Sequence, residues 1–135
     1  MNAPALRILV AEDDAINRAV ADRMLRRLGF LPEFADHGAA AVQSAKAAPY
    51  DVIFMDLRMP VLDGFEATRL IRAWERERPG RPPAAKIVAF TANDSPETRR
   101  LCREAGMDDF VSKPTSLGRL REVLGMAAAS PTPAG

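Results

Sequence analysis

The sequence predicts an α/β domain built on a parallel sheet, and three observations carry that prediction. Short apolar runs alternate with amphipathic stretches along most of the chain. Several of those runs end on residues able to do chemistry: Glu12, Asp56, Thr91 and Lys113. The run Val52-Ile53-Phe54-Met55 is apolar at every position, as in a strand covered on both faces. Five strand-helix units in succession give a doubly wound five-stranded parallel sheet, with helices on both faces and right-handed crossovers. The expected strand order is 2-1-3-4-5, with its switch point between the first and third strands.

The elements follow in order. Leu6 to Ala11 reads as a first buried strand, ending on Glu12, Asp13 and Asp14. Asp14 is an N-cap, and Ile16, Val20, Met24 and Leu28 repeat every fourth residue on the helix it opens. Gly29 ends that helix. Leu31 to Ala35 is a short strand whose Pro32 and Glu33 suit a sheet edge. His37-Gly38 opens an alanine-rich helix to about Ala47, with His37 as an exposed turn residue. After the central strand, Asp63 and Glu66 have capping-box spacing. The helix they open carries Ala67, Leu70, Ile71 and Trp74 on one face. Pro79 to Pro83 reads as a surface loop. Ile87 to Phe90 is a fourth strand ending at Thr91. Ser95-Pro96-Glu97 starts a helix that Gly106 caps. Cys102 on this helix reads as a packed or half-exposed side chain, and Arg99, Arg100 and Arg103 as a solvated face or a partner contact. Phe110 and Val111 are the fifth strand, ending at Lys113-Pro114. Leu117, Leu120 and Leu124 mark the last helix. The expected domain spans residues 1–126, and 127–135 reads as a disordered tail or linker stub.

Composition narrows the function. The chain has 135 residues, 47% hydrophobic and 27% charged, with a net charge of +1. That balance gives no electrostatic argument for nucleic acid or an anionic membrane. One cysteine excludes an internal disulfide and a cysteine-based zinc site, and suits a reducing cytoplasm. Met1 to Ala5 does not read as a signal peptide, and no apolar run is long enough to span a bilayer.

The strand ends bring Glu12, Asp13, Asp56, Thr91 and Lys113 to one rim. Two carboxylates about 5 Å apart repel by roughly 3 kcal/mol at an effective dielectric near 20. A trio therefore takes up a proton or a cation. Oxygen ligands without His or Cys suit Mg²⁺. Asp56 is then a nucleophile able to attack phosphorus. Lys113 supplies positive charge to the transferring group, and Thr91 a hydroxyl donor.

The motifs L-V-A-E-D-D (9–14), F-M-D-L-R-M-P-V-L-D-G (54–64), F-T-A (90–92) and F-V-S-K-P (110–114) resemble, in this order, the receiver domains of the two-component response-regulator family. The resemblance runs from about Leu6 to Leu124. The runs L-D-G-F-E-A-T-R-L-I-R (62–72) and G-M-D-D-F-V-S-K-P (106–114) are most like receivers of hybrid histidine kinases. It implies a flavodoxin-like fold, Asp56 as phosphoacceptor, and a histidine kinase or histidine phosphotransfer protein as donor. It implies Glu12 and Asp13 as the acidic pair, with Asp13, Asp56 and the Arg58 backbone carbonyl on Mg²⁺. It implies Thr91 as switch hydroxyl, Phe110 as switch aromatic (Phe where Tyr is common), and often a cis bond before Pro114. The implied output face is about Ser95 to Leu124. Three new bonds, from Thr91, Lys113 and the Ala92 amide, at about 1.5–3 kcal/mol each, approach the roughly 5.5 kcal/mol that a full population switch requires.

Arg58, two residues after Asp56, is expected to slow loss of the phosphoryl group, and Asn93 to share in that modulation. An Asp-nucleophile, Mg²⁺-dependent phosphohydrolase is the alternative. That chemistry usually wants a second acid where Arg58 stands. A flavin-type cofactor binder would need a phosphate-cradling loop where Glu12-Asp13-Asp14 stands. Both a stand-alone regulator and a receiver from a hybrid histidine kinase remain open.

Overall fold

The computed structural model describes residues 6–78 and 84–125. In chain order it contains β1 (Ile8–Ala11), α1 (Ala15–Arg27), β2 (Glu33–Ala35), α2 (Gly38–Ala47) and β3 (Val52–Met55). These are followed by α3 (Gly64–Glu77), β4 (Lys86–Thr91), α4 (Pro96–Ala105), β5 (Asp109–Ser112) and α5 (Leu117–Val123). All neighbouring strands are parallel, in the order β2-β1-β3-β4-β5. The loop over Pro79 to Pro83 and the tail from Ala127 lie outside the described residues. No helix among the described residues is long and apolar enough to cross a membrane.

Because successive strand residues face opposite ways, the sheet separates two cores. Leu9, Ile53, Met55, Ile87 and Ala89 pack with residues of α2, α3 and α4. Ile8, Val10, Phe54, Val88 and Val111 pack with α1 and α5. All four residues of β3 are buried, and a fully buried side chain of this size contributes about 1.5–3 kcal/mol.

The caps follow the expected chemistry. Asp14 accepts from the amides of Ile16 and Asn17. Asp63 and Glu66 complete a capping box, and Ser95 accepts from the Thr98 amide with Pro96 in the first turn. Gly106 ends α4 at φ 109°, in the left-handed region that favours glycine. His37 does more than turn the chain: it is the N-cap of α2, and its Nδ1 accepts from the Ala40 amide at 3.0 Å.

Two helix faces differ from expectation. On α1 the buried residues are Ala21 and Leu25, while Ile16 and Val20 are exposed. A repeat of four advances about 40° per step at 3.6 residues per turn. The apolar set therefore spirals off the contact, and small Ala21 lets α1 approach the sheet. On α3, Leu70 turns outward and Trp74 is half-buried beneath the Arg78 guanidinium. Gly64, Ala67, Thr68, Ile71 and Glu75 are the buried residues.

Glu75 is buried because Arg72 needs it. At the end of the sheet where β4 and β5 begin, Arg72 donates to the carbonyls of Ala85 (2.7 Å) and Gly106 (2.9 Å). It also pairs with Glu75 at 2.9 Å and Asp108 at 2.6 Å. This ties α3 to the start of β4, the end of α4 and the approach to β5.

Candidate functional site

The site lies at the opposite edge, where the strands end. Three of the four ladders continue one residue past the strand. Glu12 N–H donates to Ala35 O (2.9 Å), Asp56 N–H to Ala11 O (3.0 Å) and Lys113 N–H to Thr91 O (2.8 Å). Backbone pairing thus fixes where these side chains start. The loop after Asp56 is anchored by Leu57 and Met59, which are buried, while Arg58 between them is exposed. Gly64 returns close beneath it. A Cβ there would lie 2.2 Å from the Asp56 carbonyl oxygen, so only glycine permits this path.

Glu12, Asp13 and Asp56 each offer a carboxylate oxygen, and these oxygens lie within 4.8 Å of one another. Glu12 and Asp56 are buried and Asp13 is exposed. Lys113 pairs tightly with Glu12 Oε1 and stands 3.9 Å from Asp56 Oδ1. Glu12 Oε2 accepts from the Asp14 amide at 3.2 Å, and the Arg18 guanidinium donates to the Glu12 carbonyl at 2.9 Å. Burial pushes the Asp56 carboxyl up to about 7, with Glu12 acting in the same direction. Lys113 and the Arg58 amide, 3.3 Å from Asp56 Oδ1, oppose the rise. Three hard carboxylate donors crowded this closely, the Asp56 carboxyl pushed up by burial, have the chemistry of a small divalent-cation site.

The Thr91 hydroxyl accepts from the Asn93 amide at 3.1 Å, and Asn93 Oδ1 accepts from the Ser95 amide at 3.3 Å. Asp13, Arg58, Thr91 and Asn93 line one open groove of about 680 Å³, with Met59 and Phe65. Ala92 is exposed between Thr91 and Asn93. The Phe110 ring is buried on the α4 side, with the Arg99 guanidinium 4.6 Å from its centre and Asp94 holding Arg99 at 2.6 Å. The Lys113-Pro114 bond is cis. The structure thus brings Glu12, Asp13, Asp56 and Lys113 together and places Thr91 on the groove that Asp13 also lines. The contact of Arg18 with the Glu12 carbonyl arises between elements and leaves no local signal in the sequence.

A family model described as the response regulator receiver domain matches residues 8–125. Histidine kinase 5 of Arabidopsis thaliana is 37% identical over 139 residues, covering 87% of this chain and 15% of that protein. The chain thus spans a small part of that relative's length. The receiver domain of the sensor histidine kinase PA1611 from Pseudomonas aeruginosa, solved with a magnesium ion in its active-site cleft, is 39% identical at a TM-score of 0.77. That match covers 90% of this chain and 95% of the other. The co-crystal structure of the Saccharomyces cerevisiae phosphotransfer protein Ypd1 with the Ssk1 receiver domain matches at 32% identity and a TM-score of 0.81. It covers 90% of this chain and 88% of that one.

Proposed function

The chain belongs to the response regulator receiver domain family, and on that premise we propose that it is the phosphoacceptor module of a two-component phosphorelay. The donor is a phosphohistidine on a histidine kinase or histidine phosphotransfer protein. An Asp56 carboxylate oxygen attacks phosphorus, the P–N bond to the donor imidazole breaks, and an aspartyl phosphate forms. The observation that carries this reading is the placement of Asp56: a buried carboxyl within reach of two other carboxylates and 3.9 Å from an ammonium.

Asp13, Asp56 and the Arg58 carbonyl would hold Mg²⁺, with Glu12 beside them. When bound, the ion neutralises charge on the phosphoryl oxygens. The remaining work falls to side chains. Lys113 can shift from Glu12 toward the new phosphoryl oxygens, since Glu12 and Asp56 both lie within reach of its flexible stem. Thr91 exchanges the Asn93 amide for a phosphoryl oxygen, using its hydroxyl as donor. That exchange draws the loop carrying Ala92 and Asn93 toward Asp56, and the α4-β5-α5 face follows. The module acts in the cytoplasm as a stand-alone regulator or as a receiver of a hybrid histidine kinase.

Acetyl phosphate with Mg²⁺ should add one phosphoryl group, about 80 Da, located on Asp56 by peptide mapping. An unmodified protein, or an adduct that persists in Asp56→Asn, overturns the assignment.

A further inference from the structure

We propose that Phe90 is a positioning residue for phosphoryl transfer: its ring face seats the Lys113 ammonium between Glu12 and Asp56. The inference rests on the role given to Lys113 above and concerns what holds that lysine in place. Phe90 is the residue before Thr91 and is buried. It pairs in register with Val111 of β5. Side chains two residues apart on a strand share a face, so the chain leaves β5 with Lys113 directed to the Phe90 side. The Lys113 Nζ lies 4.9 Å from the centre of the Phe90 ring. The ring is itself braced: the Phe54 ring meets it edge-on, with centres 5.9 Å apart and planes at 61°. Phe54 belongs to β3, two residues before Asp56. The aromatic pair therefore joins the strand that carries the nucleophile to the strand end that carries the ammonium.

The geometry suits a cation that has to move. A hydrogen bond fixes an ammonium against one oxygen. A ring face attracts a cation across its whole area. Lys113 can thus slide from Glu12 toward Asp56 without leaving its seat. An aliphatic side chain of similar size fills the same space but offers no attraction, so nothing on that side would draw the ammonium along from Glu12, the carboxylate it already pairs with, toward Asp56.

The test uses the full chain with acetyl phosphate at saturating Mg²⁺, in Phe90→Leu and Phe90→Tyr variants, with Lys113→Ala as reference. Phe90→Leu should phosphorylate about threefold to tenfold more slowly, the range of a partly desolvated cation–π contact. Mg²⁺ affinity should stay within about twofold, and Phe90→Tyr, which keeps the ring face, should recover most of the rate. Equal rates in wild type and Phe90→Leu overturn the proposal, as do equal losses in the Leu and Tyr variants, which would indicate packing alone. A second readout needs no variant. In the wild-type protein the Lys113 ε-methylene and ammonium protons should be shifted upfield in the NMR spectrum by the ring current. Unshifted resonances overturn the proposal even if a substitution unfolds the chain. If Lys113→Ala phosphorylates at the wild-type rate, the reading of the site fails together with this inference. If Lys113→Ala is slow and Phe90→Leu is not, only this inference fails.

Discussion

Asp56 is held between burial and Glu12, which favour its protonated form, and Lys113, which favours the carboxylate. The balance has a definite sign for stability. A carboxyl whose folded pKa lies above its unfolded value favours the folded state while protonated. For Asp56 that contribution is complete below 3.8 and is lost as pH rises through about 7. Urea denaturation of the metal-free protein should show stability falling by roughly 2 kcal/mol between about pH 5 and about pH 8. Asp56→Asn should flatten the curve, and Mg²⁺ should restore stability at the high-pH end. Arg58 belongs to the same scale. It is exposed beside the groove, while its neighbours Leu57 and Met59 hold the backbone still. A long cation there can engage a phosphoryl oxygen or obstruct an incoming water. Arg58→Ala should lose its phosphoryl group faster than wild type, by about threefold to tenfold, or about 1 kcal/mol of barrier, as followed by phosphate release.

At the scale of elements, the turn from β3 into α3 depends on one missing side chain. Gly64→Ala would force a methyl group to within 2.2 Å of the Asp56 carbonyl. We expect about 1–3 kcal/mol of destabilisation, read as a lower urea midpoint, together with slower phosphorylation as Asp56 is displaced. The sequence announced Gly64 only as a helix start. Its close approach is a property of the folded chain. The contrast runs through every element. The central strands were legible because a strand covered on both faces must be apolar throughout, and the caps because Asp14, Asp63 and Ser95 act on amides two or three residues away. Five candidate site residues were legible because they stand at strand ends or within two residues of them. Helix faces were legible only in part: Ala67 and Ile71 were read on the inner face of α3 and are buried, whereas Ala21 and Thr68 mark contacts by being small. Large Ile16, Val20 and Leu70 gave a stronger apolar signal and proved exposed. The bonds of Arg72 to Ala85, Gly106 and Asp108 and the Phe90–Lys113 contact join residues far apart in the chain, and no local pattern encodes them.

Across the whole molecule, the sheet places chemistry at one edge and fastening at the other. Phosphorylation should therefore change the amide chemical shifts of α4, β5 and α5 far more than those of β2 and α2, which pack away from the Thr91 loop. Unchanged shifts over residues 95–124 after full phosphorylation would exclude a switch on that face. The fastening decides how such a switch moves. Arg72 grips the Gly106 carbonyl at the far end of α4, so that end is a fulcrum. The helix of 10 residues is then a lever about 15 Å long. A tilt of about 10° displaces its Ser95 end by about 2.5 Å and its Gly106 end hardly at all. A small rotation started near Thr91 is thus magnified at the tip beside it and damped out toward the base.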